Sequence, residues 1–189
     1  MPASLADSLA GEDYEMRPRL HLLETPLGWI AAVARSGHLI ATSLPLPTSK
    51  EAIAACRVDA ASDFADDLLA ALGGDFRRYF GGRPADFTGY PIDLTGRPPF
   101  HRRALRAARR IPYGEVRTYG WLARKAGRPR AARAAGQAMS ANPLPVVIPC
   151  HRVVGAGGAL TGFGGGLALK RALLQLEGIR CRGDRVLGV

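Results

Sequence analysis

The sequence predicts an α+β protein, with a small antiparallel sheet and a helix in its first half and a mainly helical second half that contains a helix-turn-helix. Three observations carry this prediction. Short apolar runs separated by turn signals fill residues 19–44, apolar residues at helical spacing dominate later, and the charge changes sign at mid-chain. At 189 residues and 47% apolar, the chain is long enough for one or two small domains with cores of their own.

Taken in order, residues 1–18 read as a loose tail. Arg19–Thr25, Trp29–Arg35 and Leu39–Leu44 read as strands of a meander, broken by Pro26-Leu27-Gly28 and by Ser36-Gly37. Pro45 to Pro47 ends it. Phe64, Leu68, Leu69, Leu72, Phe76 and Phe80 form an apolar stripe that predicts a helix over 64–80, which Gly73-Gly74 weakens. The N-terminal domain is drawn at 19–90 and a linker at 91–99, within a stretch rich in Gly and Pro that begins at Gly81. The second domain, 100–189, opens with a basic amphipathic helix that ends before Pro112. Thr118 can cap a helix through about Ala126. Gly127-Arg128-Pro129 turns the chain, and a second helix is expected over 130–140, completing the helix-turn-helix. Its surface is small and Ala-rich, with Arg130 and Arg133 upon it, so a duplex could approach closely. Gly155–Gly166 reads as a flexible loop and Leu167–Glu177 as a last helix.

The net charge of +10 is unevenly placed. Residues 1–99 hold 9 Lys/Arg against 13 Asp/Glu, and residues 100–189 hold 17 against 3. Only the second half suits a polyanion, and its cations are nearly all arginine, which can fork onto phosphate oxygens. This favours nucleic acid as partner over a membrane surface, for which no basic helix has a strongly apolar face. Three scattered cysteines, Cys56, Cys150 and Cys181, argue against a disulfide framework and for a reducing compartment. No spacing suggests a metal site, and no cofactor is expected. Neither a signal peptide nor a membrane span is apparent, so a cytoplasmic location is expected, nucleoid-associated in a prokaryote.

The densest chemistry lies in Ile148-Pro149-Cys150-His151-Arg152-Val153-Val154. The apolar residues 145–148 predict a short extended segment entering the core, and Pro149 fixes the direction in which Cys150 is delivered. His151 and Arg152 are two groups that could favour the thiolate, the reactive form. A lone Cys-His is otherwise most often a pair of core residues.

The neighbouring motifs sharpen the reading. Ile111-Pro112-Tyr113-Gly114-Glu115-Val116-Arg117-Thr118-Tyr119-Gly120, Ala131–Gly136, Asn142-Pro143, Leu160–Leu167, Lys170 and Glu177-Gly178 follow in an order that resembles the O6-alkylguanine-DNA alkyltransferases, also called methylated-DNA–protein-cysteine methyltransferases. The resemblance is strong from about residue 100 to 178. It is weaker in Thr25–Trp29, in Tyr79-Phe80-Gly81-Gly82 and in Ile92-Asp93-Leu94. It implies a ribonuclease H-like N-terminal domain and a monomer that repairs double-stranded DNA containing O6-alkylguanine, with the recognition helix in the minor groove and the damaged base flipped out. The alkyl group would pass irreversibly to Cys150, with O4-alkylthymine a further possible substrate. By the same resemblance His151 is the base acting through a water, Glu177 orients it, and Asn142 ties the helix-turn-helix to the cysteine segment. Arg133 fills the gap left by the flipped base, Tyr119 contacts the flipped nucleotide, and Arg130, Val153, Phe163 and Gly164 complete the DNA and base contacts.

Departures from the family pattern stand at His101, Ala104 and Leu105, and at Phe163-Gly164, where Tyr-Ser is common. The first three bear on how the opening helix of the basic domain packs on the N-terminal domain, and Phe163-Gly164 predict a roomy, apolar alkyl pocket. Three other readings compete: a lesion-binding protein without transfer, a helix-turn-helix regulator, and a Cys-His hydrolase. The first lacks the reactive cysteine that this chain keeps, the second requires additional domains, and the third predicts turnover of an ester or peptide.

Overall fold

The computed structural model describes residues 17–58 and 67–188. The expected tail, residues 1–16 of it, and the helix start at Phe64 lie outside these. Strands β1 (Arg19–Thr25), β2 (Gly28–Arg35) and β3 (His38–Thr42) form an antiparallel sheet in the order β1-β2-β3. The turn after β1 has a specific cause. The Thr25 hydroxyl donates to the Gly28 carbonyl at 2.7 Å, and Gly28 takes φ 118°. A Cβ there would stand 2.6 Å from the Leu46 carbonyl oxygen, which already accepts from the Trp29 N–H, so only glycine fits.

The small residues of β2 explain why both faces of the sheet are covered. Ala31 and Val33 pack with Ala52 and Cys56 of α1 (Ser49–Cys56). Ile30, Ala32 and Ala34 instead join the main core with Leu69, Leu72 and Phe76 of α2 (Asp67–Phe80). Helix α1 was not expected from the sequence, although Thr48 and Glu51 form a capping box that announces it. Helix α2 runs through Gly73-Gly74 without a break. A Cβ on Gly73 would meet His21 of β1 at 2.5 Å, so the glycine that lowers helix propensity is what lets the helix lie against the sheet.

The main core continues into the second half without interruption. There α3 (Pro99–Arg109) buries Phe100, Ala104, Leu105 and Ala108, so the departures at Ala104 and Leu105 lie in packed core. Two short helices follow, α4 (Tyr119–Lys125) and α5 (Ala132–Ser140), and they form the helix-turn-helix. Thr118 caps α4 by accepting from the Trp121 N–H at 3.1 Å. Helix α5 starts two residues later than expected. The Ala131 N–H donates to the Arg128 carbonyl at 3.0 Å and closes a turn over residues 128–131, so Arg130 stands in that turn.

Residues 144–148 form a buried turn rather than the expected extended segment. The Ile148 N–H donates back to the Leu144 carbonyl at 2.7 Å, and Val146 adopts φ 72°. Strand β4 (Arg117–Thr118) pairs in parallel with β5 (Val153–Val154), a ladder too short to register as a pattern. The glycine-rich stretch is tied down by Gly155 N–H to Ala159 carbonyl (2.7 Å) and by a bridge from Ala159 to Arg185. Helix α6 (Gly166–Leu176) is followed by a hairpin of β6 (Cys181–Arg182) and β7 (Arg185–Val186) that the sequence reading did not foresee. Among the described residues, no helix is long and apolar enough to cross a membrane.

Candidate active site

Cys150 opens a single 3-10 turn, Cys150–Arg152, directly after Pro149. The turn is held from behind by Asn142, at the end of α5. Its amide nitrogen donates to the Ile148 carbonyl at 2.8 Å and its amide oxygen accepts from the Leu144 N–H at 3.0 Å. The end of the helix-turn-helix and the cysteine segment are therefore tied to each other. Cys150 is 6% exposed and His151 fully buried.

Glu177 follows the last residue of α6, where the helix dipole disfavours a carboxylate. It is held instead by convergent donors. His151 Nε2 lies 2.7 Å from Oε1, and Arg152 donates through Nε and Nη2 at 2.9–3.1 Å. Gly114, at φ 77°, gives its N–H to Oε2 at 3.1 Å. The Tyr79 hydroxyl donates to Oε1 at 2.8 Å. The motif at residues 111–114 thus acts as a clamp: the Ile111 carbonyl takes Arg152 Nη1 at 2.6 Å and the Tyr113 hydroxyl donates to the Leu176 carbonyl at 2.8 Å.

These contacts set the protonation states. Burial opposes a charge on Glu177, but the hydrogen bond from His151 and the charge and hydrogen bonds of Arg152 prevail and hold its carboxyl at about 2. Burial lowers the pKa of His151 and outweighs the raising effect of Glu177, so the neutral imidazole is favoured. Burial pushes the Cys150 thiol up, against the lowering effects of the Asn142 amide and the Lys170 ammonium. Arg152 anchors structure through the Ile111 carbonyl, as expected, and is committed as well to Glu177; the cation acting on the thiol is Lys170.

Lys170 has no solvent exposure and donates to the carbonyls of Val153 (2.7 Å) and Thr161 (3.2 Å). Its Nζ lies 5.8 Å from the ring centroids of both Tyr119 and Phe163. Burial pulls its pKa down to about 8, partly offset by Cys150. Lys170→Met should therefore shift the pH midpoint of Cys150 alkylation by iodoacetamide upward by about one unit. An unmoved midpoint would remove Lys170 from the electrostatics of the thiol.

A cleft of about 560 Å³ lies between the helix-turn-helix and the glycine-rich stretch, lined by Tyr119, Arg133 and Gly136 on one side and by Gly155, Thr161 and Gly162 on the other. Burial raises the pKa of the Tyr119 hydroxyl, against the lowering effect of the Thr161 side chain. The structure thus gathers Cys150, His151, Glu177 and Asn142 into one cluster, while Tyr119 and Arg133 line the cleft and Phe163 faces the Lys170 ammonium. Arg130 is exposed in the turn before α5 and does not line the cleft. Val153 is fully buried and offers its carbonyl to Lys170. A Cβ at Gly164 would meet Leu44 at 3.8 Å, an ordinary contact at the edge of the sheet. A larger cavity of about 660 Å³ lies behind the cysteine segment, between residues 84–88 and the end of α3, and of the predicted site residues it touches none.

A buried thiol with a neutral imidazole, an ionised carboxylate behind it and a cation beside it can lose its proton on demand and attack a soft electrophilic carbon. Behind a helix-turn-helix with exposed arginines, that chemistry would be directed at nucleic acid. Comparison with known proteins agrees with this class. The family model for the 6-O-methylguanine DNA methyltransferase DNA-binding domain matches residues 99–179. A solved structure of Mycobacterium tuberculosis O6-methylguanine methyltransferase superposes with TM-score 0.70 at 34% identity, over 85% of this chain and 92% of that one. The same mycobacterial protein in complex with DNA gives TM-score 0.71 at 34% identity, over 84% and 92%. The chain belongs to the O6-alkylguanine-DNA alkyltransferase family. Among curated relatives, the methylated-DNA–protein-cysteine methyltransferase of Mycobacterium bovis is 49% identical over 109 residues, 58% of this chain and 65% of that protein. That of Haemophilus influenzae is 48% identical over 104 residues, 55% and 58%. These sequence matches span a little under two thirds of the relatives' lengths.

Proposed function

We propose that this protein repairs double-stranded DNA by moving an alkyl group from O6 of guanine to Cys150, once per molecule. The observation that carries the reading is the Cys150–His151–Glu177 cluster placed behind a helix-turn-helix whose second helix presents Arg133 beside Tyr119. His151 takes the thiol proton through a water. The sulfur attacks the alkyl carbon, the carbon–oxygen bond breaks, and its electron pair leaves with the guanine, which is then protonated. The thioether formed has no easy leaving reaction, so the protein is consumed.

The target atom is inaccessible in stacked DNA, so the base must leave the duplex. Helix α5 enters the minor groove, where readout is degenerate and suits lesions of any sequence context. Arg133 holds the space vacated by the base while the nucleotide sits in the cleft against Tyr119. The protein acts as a monomer on chromosomal DNA in the cytoplasm.

The Arg133 assignment has a direct test. Arg133→Ala should slow transfer from duplex O6-methylguanine DNA by about tenfold or more, the scale of losing a desolvated cationic contact, while transfer from free O6-benzylguanine stays near the parental rate. Equal losses on the two substrates would remove Arg133 from this role. The affinity for undamaged duplex should fall steeply with salt, because phosphate contacts release counterions.

A further inference from the structure

We propose that Tyr79, at the end of α2 in the N-terminal half, is a positioning residue of the Cys150 relay, whose hydroxyl pins Glu177 and keeps His151 a neutral base with its proton on Nε2. This rests on the alkyltransferase reading above for the identity of the reaction, but not for the geometry. Tyr79 has no solvent exposure. Its hydroxyl oxygen lies 2.8 Å from Glu177 Oε1 and 3.2 Å from His151 Nε2, across 98 and 72 residues of sequence. Its ring cannot swing away. Phe80, Phe87 and Tyr113 pack edge-on around it, with centroids at 5.0, 5.8 and 6.1 Å.

The proton inventory follows from these contacts. Glu177 is ionised and can only accept. The Tyr79 proton is committed to Oε1, so the phenolic oxygen turns a lone pair toward the imidazole. Both oxygens facing Nε2 are therefore acceptors, and Nε2 keeps its hydrogen whether the ring is neutral or charged. Nδ1 is buried with no partner among the described residues, which makes it the nitrogen that receives the thiol proton.

Tyr79 also sets how strongly Glu177 attracts a positive imidazole. The groups that face His151 are Glu177 and Lys170 from the α6 region, Cys150 and Arg152 from its own turn, and Tyr79 from α2, with Tyr113 behind Tyr79. Glu177 favours the imidazolium, whereas Arg152, Lys170 and burial oppose it. A donor on Oε1 draws charge away from the imidazole and acts with the opposing group. Without it the carboxylate would bind the imidazolium more tightly. A more stable imidazolium favours the thiolate beside it and lowers the pH at which Cys150 loses its proton. A hydroxyl that merely satisfied a core tyrosine would affect stability and leave the titration of the relay alone.

The test is the pH dependence of Cys150 alkylation, measured in the full chain with two electrophiles, free O6-benzylguanine and iodoacetamide. Tyr79→Phe should move the ascending limb downward by about 0.5–1 pH unit and speed both reactions several-fold at neutral pH. Site-specific 3-fluorotyrosine at position 79, a stronger donor of the same shape, should move the limb upward, and it decides the matter if Tyr79→Phe does not fold. Phe76→Leu, one turn earlier on α2, should lower the melting temperature without moving the limb. An unmoved limb in folded Tyr79→Phe, or the same shift in Phe76→Leu, would overturn the proposal. If iodoacetamide shows the predicted shifts while O6-benzylguanine gives no transfer to the parental protein, the alkyltransferase reading falls and the assignment of Tyr79 stands.

Discussion

Glu177→Ala is expected to destabilise the protein by about 3–5 kcal/mol, the usual consequence of stripping the counter-charge from a buried ion, and to reduce alkyl transfer to background. The guanidinium of Arg152 would remain in the interior with only the Ile111 carbonyl to accept from it, and the Gly114 N–H, the Tyr79 hydroxyl and His151 Nε2 would lose an acceptor together. The same group predicts an acid transition. Its folded pKa of about 2 lies below the ordinary value of 4.5, so its contribution to stability is complete above about pH 4.5 and is lost as pH falls toward 2. Urea midpoints measured from pH 6 to pH 2 should fall steeply for the parental protein and less for Glu177→Gln. Parallel curves would show that the carboxylate is not the charge that holds this cluster.

Cys150→Ala should lose transfer altogether while binding damaged duplex with the parental affinity. The substitution removes one sulfur atom from a 6% exposed position and touches neither the arginines of the helix-turn-helix nor the Asn142 bridge. Cys56 cannot substitute. It packs between α1 and β2 with its sulfur 3.8 Å from the Ala31 carbonyl, and burial pushes its thiol up to about 11. Gel shifts and single-turnover transfer on the same O6-methylguanine duplex separate the two properties. Residual transfer in Cys150→Ala would place the acceptor elsewhere.

Local signals carried much of this account and stopped at identifiable points. Short apolar runs between turn signals located β1, β2 and β3 to within two residues, because the turns at Pro26-Leu27-Gly28 and Ser36-Gly37 separate them cleanly. The Thr118 cap and Gly127 turn located α4. Helix α1 escaped because its Ala-rich run has no clear apolar stripe, although the Thr48–Glu51 box was legible. The turn at residues 144–148 escaped because its cause is remote from any propensity: Asn142 closes it from outside. The catalytic cluster was legible in part, since Cys150 and His151 are adjacent and sit in a distinctive motif. Glu177 was reached only through resemblance, because nothing within its helix distinguishes it from a solvated acid. Tyr79 and Lys170 entered only as members of resembling segments, with no role attached. Tyr79 lies beside the stripe that ends at Phe80, and Lys170 reads as one more cation in a basic half. Only the fold brings a hydroxyl from α2 and an ammonium from α6 to the two ends of the same relay.

The central claim is that Cys150 is a single-use acceptor for an alkyl group from guanine. It is tested most directly by the intact mass of the protein after incubation with excess O6-methylguanine duplex, followed by peptide mapping. The account predicts one added methyl group per molecule, carried by Cys150, with one equivalent of DNA repaired and no further reaction. Methyl on Cys56 or Cys181, or more than one equivalent repaired per protein, would contradict it.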